Sequence, residues 1–491
     1  MNAVQLSPVL SCEALEAELE TVAQAELGAQ LEALRQPSLR GGTADVALAA
    51  PTGVASAEAN QAQGAGLDYS GTNNQERGVD EADIVKSDGQ HLYVLSGGHL
   101  LVLRSHPATE LAELSRLPVP GRPLEMFVHG DRALIFSELT PAELPPELPA
   151  RSTGGAVDIA VPALACAPGS RCGFGGLPQT QLTLVDLSDR GAPRLLRENI
   201  VEARYLSSRR VGASVRVVVR GSTYMPVLDL EPQLDFDWYD DDKLSKRERR
   251  QLEAEIDRLE SEGRARIQAH ALADWLPRRL DIDHAGGGTR QVDSIAPCVR
   301  FFRDEGSQGR DVLDVITVNL DKDNAAPAHA AILGHGAEVY ASTESLYIAS
   351  HPWSSFAPWW GWQSEAWLEE RTHVHRFDIA LDPDQAVYVA SGSVPGHLPG
   401  NGQTGEAQFA MDEADGRLRI ATTTQGRGTA APEGWQSENH LFILELGEGQ
   451  LRQVGSVEGL APGEQIFAAR FVGNRGYLVT FRQVDPLFVF D

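Results

Sequence analysis

One phrase recurs six times along this chain: two short apolar strands around a polar turn. The copies are DIVKSDGQHLYVLS, LEMFVHGDRALIFS, ARYLSSRRVGASVRVVV, EVYASTESLYIAS, QFAMDEADGRLRIATT and IFAARFVGNRGYLVTF. Apolar and polar residues alternate within them, which turns one face of each strand toward a core. After a gap of variable length each copy is followed by a third apolar strand: HLLVLRS, QLTLVDLSD, DVITVNLDKD, HVHRFDIALD, HLFILELGEG and PLFVFD. A further short strand, such as AELSRLPV or AVYVASGSV, leads into the next copy. A four-stranded unit repeated at domain scale predicts an all-β fold, a β-propeller of about six antiparallel blades. Two sandwiches would not repeat a single hairpin phrase.

With the short strand counted as the first of each unit, the first unit lacks its opening strand. The chain stops at Asp491 inside the apolar strand PLFVFD. The ring is therefore expected to be incomplete, with the missing strand lying beyond Asp491. Unpaired edges and an uncovered terminal repeat would then make the chain unstable or self-associating.

The long gaps span 139–178, 221–311, 351–372 and 425–438, each between a hairpin and the strand that follows it. Strands alternate in direction, so all four insertions should leave one face of the disc, with tight turns such as HGDR and DLSDRGAP on the other. Loops grafted on one end of a rigid scaffold are where function usually resides. Residues 1–36 form an N-terminal helical segment, 37–70 a Gly/Ala/Ser-rich flexible linker, and 71–491 the propeller. Helices are expected only at about 11–36 and 243–272. In the first, Leu15, Leu19, Val22, Leu27, Leu31 and Leu34 share a stripe, Ser11 caps the first turn and Pro37 follows the last.

The 42 basic and 69 acidic residues leave a formal net charge of −27, which argues against a nucleic-acid partner. No apolar run is long enough for a membrane span, and no signal peptide is visible in MNAVQLSPVLSCEALEAE. The cysteines are Cys12, Cys166, Cys172 and Cys298. Cys166 and Cys172, in CAPGSRC, can close a small loop by a disulfide in an oxidising compartment, or remain two thiols in a cytosolic one. Their spacing is not that of a zinc site.

Several phrases together resemble a known family: YSGTNNQERGVDEADIVKSDG, GRPLEMFVHGDRALIFS, YLSSRRVG, ALADWLPR, THVHRFDI, SGSVPG, QFAMDEADGRLRIATTT and GSVEGLAPGEQIFAARFVGNRGYLVTFRQVDPLFVFD. They are similar to the bacterial and archaeal secreted proteins with a C-terminal β-propeller domain, and the SCEALEAEL helix looks like the segment preceding that propeller. The chain departs from the family pattern at both ends, lacking the export signal and the further blade sequence. The resemblance implies an exported, extracellular or envelope-associated propeller. It implies no reaction.

Five of the eight tryptophans, Trp353, Trp359, Trp360, Trp362 and Trp367, crowd one insertion. They would stack on sugar rings or form a hot spot for a protein partner. The alternative, which is favoured, is a local mini-core folded over the blade edge, because large apolar loops are seldom left bare. Asp235, Asp237, Asp240, Asp241 and Asp242 precede the second helix. They offer calcium ligands, but without EF-hand spacing; complementing the helix dipole is the simpler role. Asp80, Glu81, Asp83 and Asp88 lie in GVDEADIVKSDG, where a structural role outweighs an acid pair for glycoside chemistry. His373 and His375 share one strand face but have no third metal ligand at a suitable spacing. No HExxH, GxSxG, P-loop or dinucleotide fingerprint occurs, so no catalytic residue and no cofactor beyond that calcium is assigned. The expected function is a non-catalytic binding or scaffolding propeller for a protein or glycan. The alternative is an extracellular hydrolase or lyase whose charged groups converge at the central channel with perturbed pKa values.

Overall fold

A computed structural model describes residues 5–36, 74–149, 151, 179–226, 228, 230–238, 243–285, 287–304, 310–323, 325–334, 336, 338–350, 371–399, 407–427, 435–481 and 487–490. Each hairpin phrase opens a blade. Blade 1 runs through Val85–Ser87, His91–Ser96, His99–Arg104 and Ala112–Pro118, each strand antiparallel to the one before. Blade 2 opens with Arg122–His129, Arg132–Leu139, Gln179–Asp186 and Arg194–Val201, and blade 3 with Arg204–Val211, Ser214–Ser222, Asp311–Asn319 and Ala328–Leu333. Blade 4 holds Glu338–Ala341, Ser345–Ser350, Arg371–Asp378 and Val387–Pro395; blade 5 holds Met411–Ala414, Arg417–Arg427, Trp435–Gly447 and Gln450–Leu460. Blade 6 shows three strands among the described residues, Gln465–Val472, Arg475–Phe481 and Leu487–Phe490.

This order corrects the assumed phase of the repeat. The short strand closes the blade before it and does not open the one after, so blade 1 is complete. The reason is local. The chain returns quickly after Arg104, placing Leu117 opposite Leu100 and Ser115 opposite Val102. It then leaves through Gly121, where a Cβ would stand 2.5 Å from the Glu138 carbonyl oxygen, so only glycine fits the passage to blade 2. The first hairpin turns of blades 2 and 6 likewise rely on left-handed glycines, Gly130 and Gly473, both at φ near +57.

Three of the long gaps, 139–178, 221–311 and 351–372, join the second strand of a blade to its third, in blades 2 to 4. The fourth expected insertion, 425–438, is corrected: strands Arg417–Arg427 and Trp435–Gly447 run on through it, pairing Gln425 with Ser437 and Arg427 with Trp435, because the hairpin ladder continues to the ends of both strands and leaves only residues 428–434 between them. The insertion of blade 3 is the elaborate one. It contains helix α2 (Lys246–Gln268) and a short helix at Leu272–Trp275, and its hairpin Arg278–Asp283/Thr289–Ser294 extends blade 2 beyond Arg194–Val201. Its last strand, Phe301–Asp304, joins the outer edge of blade 3 in parallel, and Leu6–Pro8 pairs with it in turn.

Helix α1 (Cys12–Arg35) buries Leu15, Leu19, Leu27, Leu31 and Leu34, the stripe read from the sequence, among Leu252, Ile256, Leu259 and Ile267 of α2 and the apolar residues of blades 2 and 3. Each such leucine contributes roughly 1.5–3 kcal/mol. Arg35 adds ion pairs to Asp257 and Glu260 at 3.3 and 3.0 Å. Cys12 and Cys298 are joined by a disulfide, a pairing the sequence did not single out. The cores lie between the blade faces. Tyr93, Met126 and Val185 fill the space between blades 1 and 2; Val218, Leu313, Leu346 and Phe377 lie between blades 3 and 4. No strand pairing links blades 6 and 1 among the described residues, and Phe467, Leu487 and Ile84 are exposed there. No helix among the described residues is long and apolar enough to cross a membrane.

Candidate functional site at the inner strands

The densest concentration of charge lies where residues 74–83, the NQERGVDEAD stretch, cross the first strands of four blades. Gln75 Nε2 donates to the carbonyls of Gln408 and Met411 at the start of blade 5, both at 3.0 Å. Glu76 Oε1 accepts from the Tyr340 hydroxyl of blade 4 at 3.0 Å. The chain then turns through Gly78, at φ +88, and buries Val79 in the core between blades 3 and 4. Asp80 and Glu81 pair as a two-residue ladder with Arg210 and Arg209 of blade 3. Asp83 exchanges backbone hydrogen bonds with Met126 of blade 2, at 3.2 and 2.9 Å. One short strap thus ties blades 2, 3, 4 and 5 together.

Its carboxylates are matched. Asp80 accepts from Lys86 Nζ at 2.8 Å and from Arg210 Nη2 and Nε at 2.8 and 3.1 Å. Glu81 lies 4.0 Å from Arg209 Nε and accepts from the Gln75 amide. Asp88 caps its own turn, accepting from the amides of Gln90 and His91 and from the Tyr93 hydroxyl. Burial pushes the Asp88 carboxyl up, but those donors together carry it below the ordinary value. The structural role expected for these four acids is the one they fill.

Three buried or half-buried groups are held away from their usual ionisation. Burial pushes the Glu125 carboxyl of blade 2 up, against the hydrogen bond from Tyr205 and the charges of Arg209 and Lys86. Burial raises the Tyr205 hydroxyl well above its ordinary value, with the Glu125 charge adding to it. Glu76 is raised by burial and by Asp412, and lowered by the Tyr340 hydrogen bond. Asp412 accepts from Arg419 Nε at 2.8 Å, and Glu413 lies 3.5 Å from Arg376 Nη2.

The residues nominated from sequence fall elsewhere. Trp353, Trp359, Trp360, Trp362 and Trp367, Cys166 and Cys172, and Asp240, Asp241 and Asp242 lie outside the described residues. Asp235 and Asp237 are exposed, and the N-terminus of α2 is capped by Ser245, in a capping box with Glu248. The dipole role assigned to the aspartates is therefore filled by Ser245 and Glu248 at the helix end itself. No group of three or more metal-ligating side chains occurs among the described residues. His373 and His375 are buried on one strand, and His375 Nδ1 shares a 2.7 Å hydrogen bond with Ser391 Oγ of the neighbouring strand. The sequence did carry a signal for the strap that went unused: the acids of GVDEAD and the arginines of SSRRVG are complementary pairs.

Repeated four-stranded blades with charged inner strands define a propeller. The chain belongs to the β-propeller domain family, whose sequence profile matches residues 69–491. It is similar to an uncharacterized protein of Archaeoglobus fulgidus, 37% identical over 122 residues that make up 25% of this chain and 16% of that protein. It is also similar to an uncharacterized protein of Methanocaldococcus jannaschii, 40% identical over 134 residues, 26% of this chain and 18% of that one. The matched stretches thus span less than a fifth of either relative. Among solved structures, an ACO/RPE65 chimera aligns at a TM-score of 0.26 and 11% identity, covering 81% of this chain and 64% of that one. The N-terminal domain of Nup159 aligns at 0.22 and 9%, covering 82% and 87%.

Proposed function

We propose that this protein is a non-catalytic binding or scaffolding propeller of the cell envelope, which holds a protein or glycan on its elaborated face. One observation carries the reading: the three long insertions, in blades 2 to 4, all join second to third strands, and the largest is built into a helical platform locked by Cys12–Cys298. Elaboration on one end of a rigid scaffold is the arrangement of recognition surfaces. A disulfide supports an oxidising compartment. The inner-strand charges give less support to the hydrolase alternative, because Asp80, Asp412 and Glu413 are each engaged by a lysine or arginine.

The test is isothermal titration of the purified protein with defined oligosaccharides of envelope polymers, alongside a variant with Trp353, Trp359, Trp360, Trp362 and Trp367 replaced by alanine. Binding without turnover, lost in the variant, is the expected result. Hydrolysis of any of these ligands, abolished by Glu76→Gln, would establish the hydrolase reading instead.

A further inference from the structure

The hairpin Arg278–Asp283/Thr289–Ser294 of the largest insertion lies along blade 2, yet one of its side chains reaches into blade 3. Arg279 Nη1 stands 3.3 Å from Nε2 of His329, on the fourth strand of blade 3. The other ring nitrogen, Nδ1, lies 2.6 Å from Asp314 Oδ2 on the third strand. His329 and Asp314 are both buried. A guanidinium has no lone pair to offer, so Arg279 can only donate. His329 Nε2 therefore accepts, and the single ring proton sits on Nδ1 and is donated to Asp314. The two contacts hold the imidazole in one tautomer and without charge.

We propose that His329 is an acid-released latch: its neutral ring clamps the insertion hairpin to blade 3 through Arg279, and a proton taken up at Nε2 lets Arg279 go. Protonation turns that nitrogen into a donor and sets two cations against each other at hydrogen-bond distance. Asp314 keeps its hold on Nδ1 and balances the imidazolium. Arg279 has partners to fall back on within its own hairpin: Nη2 lies 3.6 Å from Asp293, and Nε donates to the Ser294 carbonyl at 3.2 Å. The other charged neighbours are engaged. Arg300, from the short helix Cys298–Arg300, donates to the carbonyls of His329 and Ala386 at 3.2 and 3.4 Å. Arg303, on the strand beside that of His329, pairs with Glu18 at 3.0 Å, and Arg197 of blade 2 is held by Asp281 and Asp283. The strand Ala328–Leu333 itself carries no titratable side chain besides His329. Of all these groups, only an imidazole ordinarily changes charge between pH 8 and pH 5.5. The hairpin stays paired with Arg194–Val201 through its backbone ladder, so release loosens the seam between blades 2 and 3 and leaves the hairpin intact.

The open form binds one proton more than the closed one, so the latch is shut at high pH and acid opens it. Nitrogen NMR of protein labelled at its histidines tests the proton placement, with His329 assigned as the signal lost in His329→Gln. At pH 8 the ring should carry its proton on Nδ1 and none on Nε2; at pH 5.5 both nitrogens should be protonated. Urea unfolding of Arg279→Ala tests the release. Its loss in folding equilibrium constant should be about tenfold or more greater at pH 8 than at pH 5.5, the worth of one hydrogen bond to a charged group. In the His329→Gln background, where the amide can still receive Arg279 but cannot ionise, the loss should be the same at both values. A ring proton on Nε2 at pH 8 overturns the proposal. So does a cost of Arg279→Ala that does not change with pH, or a change that survives in His329→Gln. Were His329→Gln not to fold, the histidine signal displaced by Arg279→Ala identifies the ring, and its proton placement and the pH dependence of the Arg279→Ala cost decide by the same criteria.

Discussion

Gly263 of α2 lies directly against Leu27 of α1: a Cβ placed on Gly263 would stand 2.9 Å from Leu27 Cδ2 and 3.0 Å from Cδ1. The two helices approach this closely because the contact residue has no side chain. Gly28, the next residue along α1, is exposed and has nothing within 4 Å of such a Cβ. Two glycines in one helical pair thus differ in kind. Gly263→Leu should cost about 1–3 kcal/mol by overpacking, whereas Gly28→Ala should gain about 1 kcal/mol in helix propensity. Gly263→Ala should fall near zero, since the same gain is offset by displacing Leu27. Thermal and urea unfolding of the three variants checks the order.

The Cys12–Cys298 disulfide closes a sequence separation of 286 residues. Cross-links over long loops constrain the unfolded chain most, and loss of a native one typically costs 2–5 kcal/mol. A Cys12→Ser, Cys298→Ser double variant should therefore melt well below the natural protein, with its melting insensitive to reductant. Equal melting temperatures for oxidised protein and variant would show that apolar packing alone docks α1.

Arg216, 1% exposed, reaches from blade 3 into the turn between the last two strands of blade 4. Its Nη2 donates to the carbonyls of Ile379, Asp382 and Gln385 at 3.2, 2.9 and 3.4 Å. Burial pushes its pKa down to about 10, so it keeps its charge at neutral pH. Arg216→Ala would strand the buried Ile379 carbonyl without this donor, at about 1–3 kcal/mol for an acceptor left unpaired, while the partly buried carbonyls of Asp382 and Gln385 can turn to water. The variant should lose about 1–3 kcal/mol on denaturant unfolding. Arg216→Lys should recover only part of this, because an ammonium lacks the planar fork.

Glu125 is held half-buried beside Tyr205, and burial raises its carboxyl above the unfolded value. A raised acid favours the folded state fully below its unfolded pKa, and that contribution is lost as pH rises through the folded pKa. Glu125→Gln removes the ionisation while keeping an acceptor for Tyr205. Its melting temperature should exceed that of the natural protein at pH 7 and converge on it by pH 4. A constant difference across that range would mean the carboxyl does not titrate differently in the two states.

Much of the architecture was legible in the sequence because its causes are local. Period-two alternation marked the strands, polar turns marked the hairpins, and the leucine stripe marked α1, all without knowledge of any distant partner. The phase of the repeat was misread because a short strand between two hairpins has a neighbour on either side, and 425–438 was misread as an insertion because its polar residues belong to strands that run on past the core. The quick return after Arg104 and the passage through Gly121 settle which neighbour it takes, and both act through backbone geometry. The complementary acids and arginines of GVDEAD and SSRRVG were on view but not their encounter, since Asp80 and Arg210 are brought together only when blades 1 to 3 have folded. Cys12 finds Cys298, and Glu76 finds the Tyr340 hydroxyl, by the same means. Alternation and turn chemistry are properties of neighbours in the chain, which a sequence states outright. Which charge or thiol meets which across hundreds of residues depends on how the blades stack, and only the tertiary structure decides that.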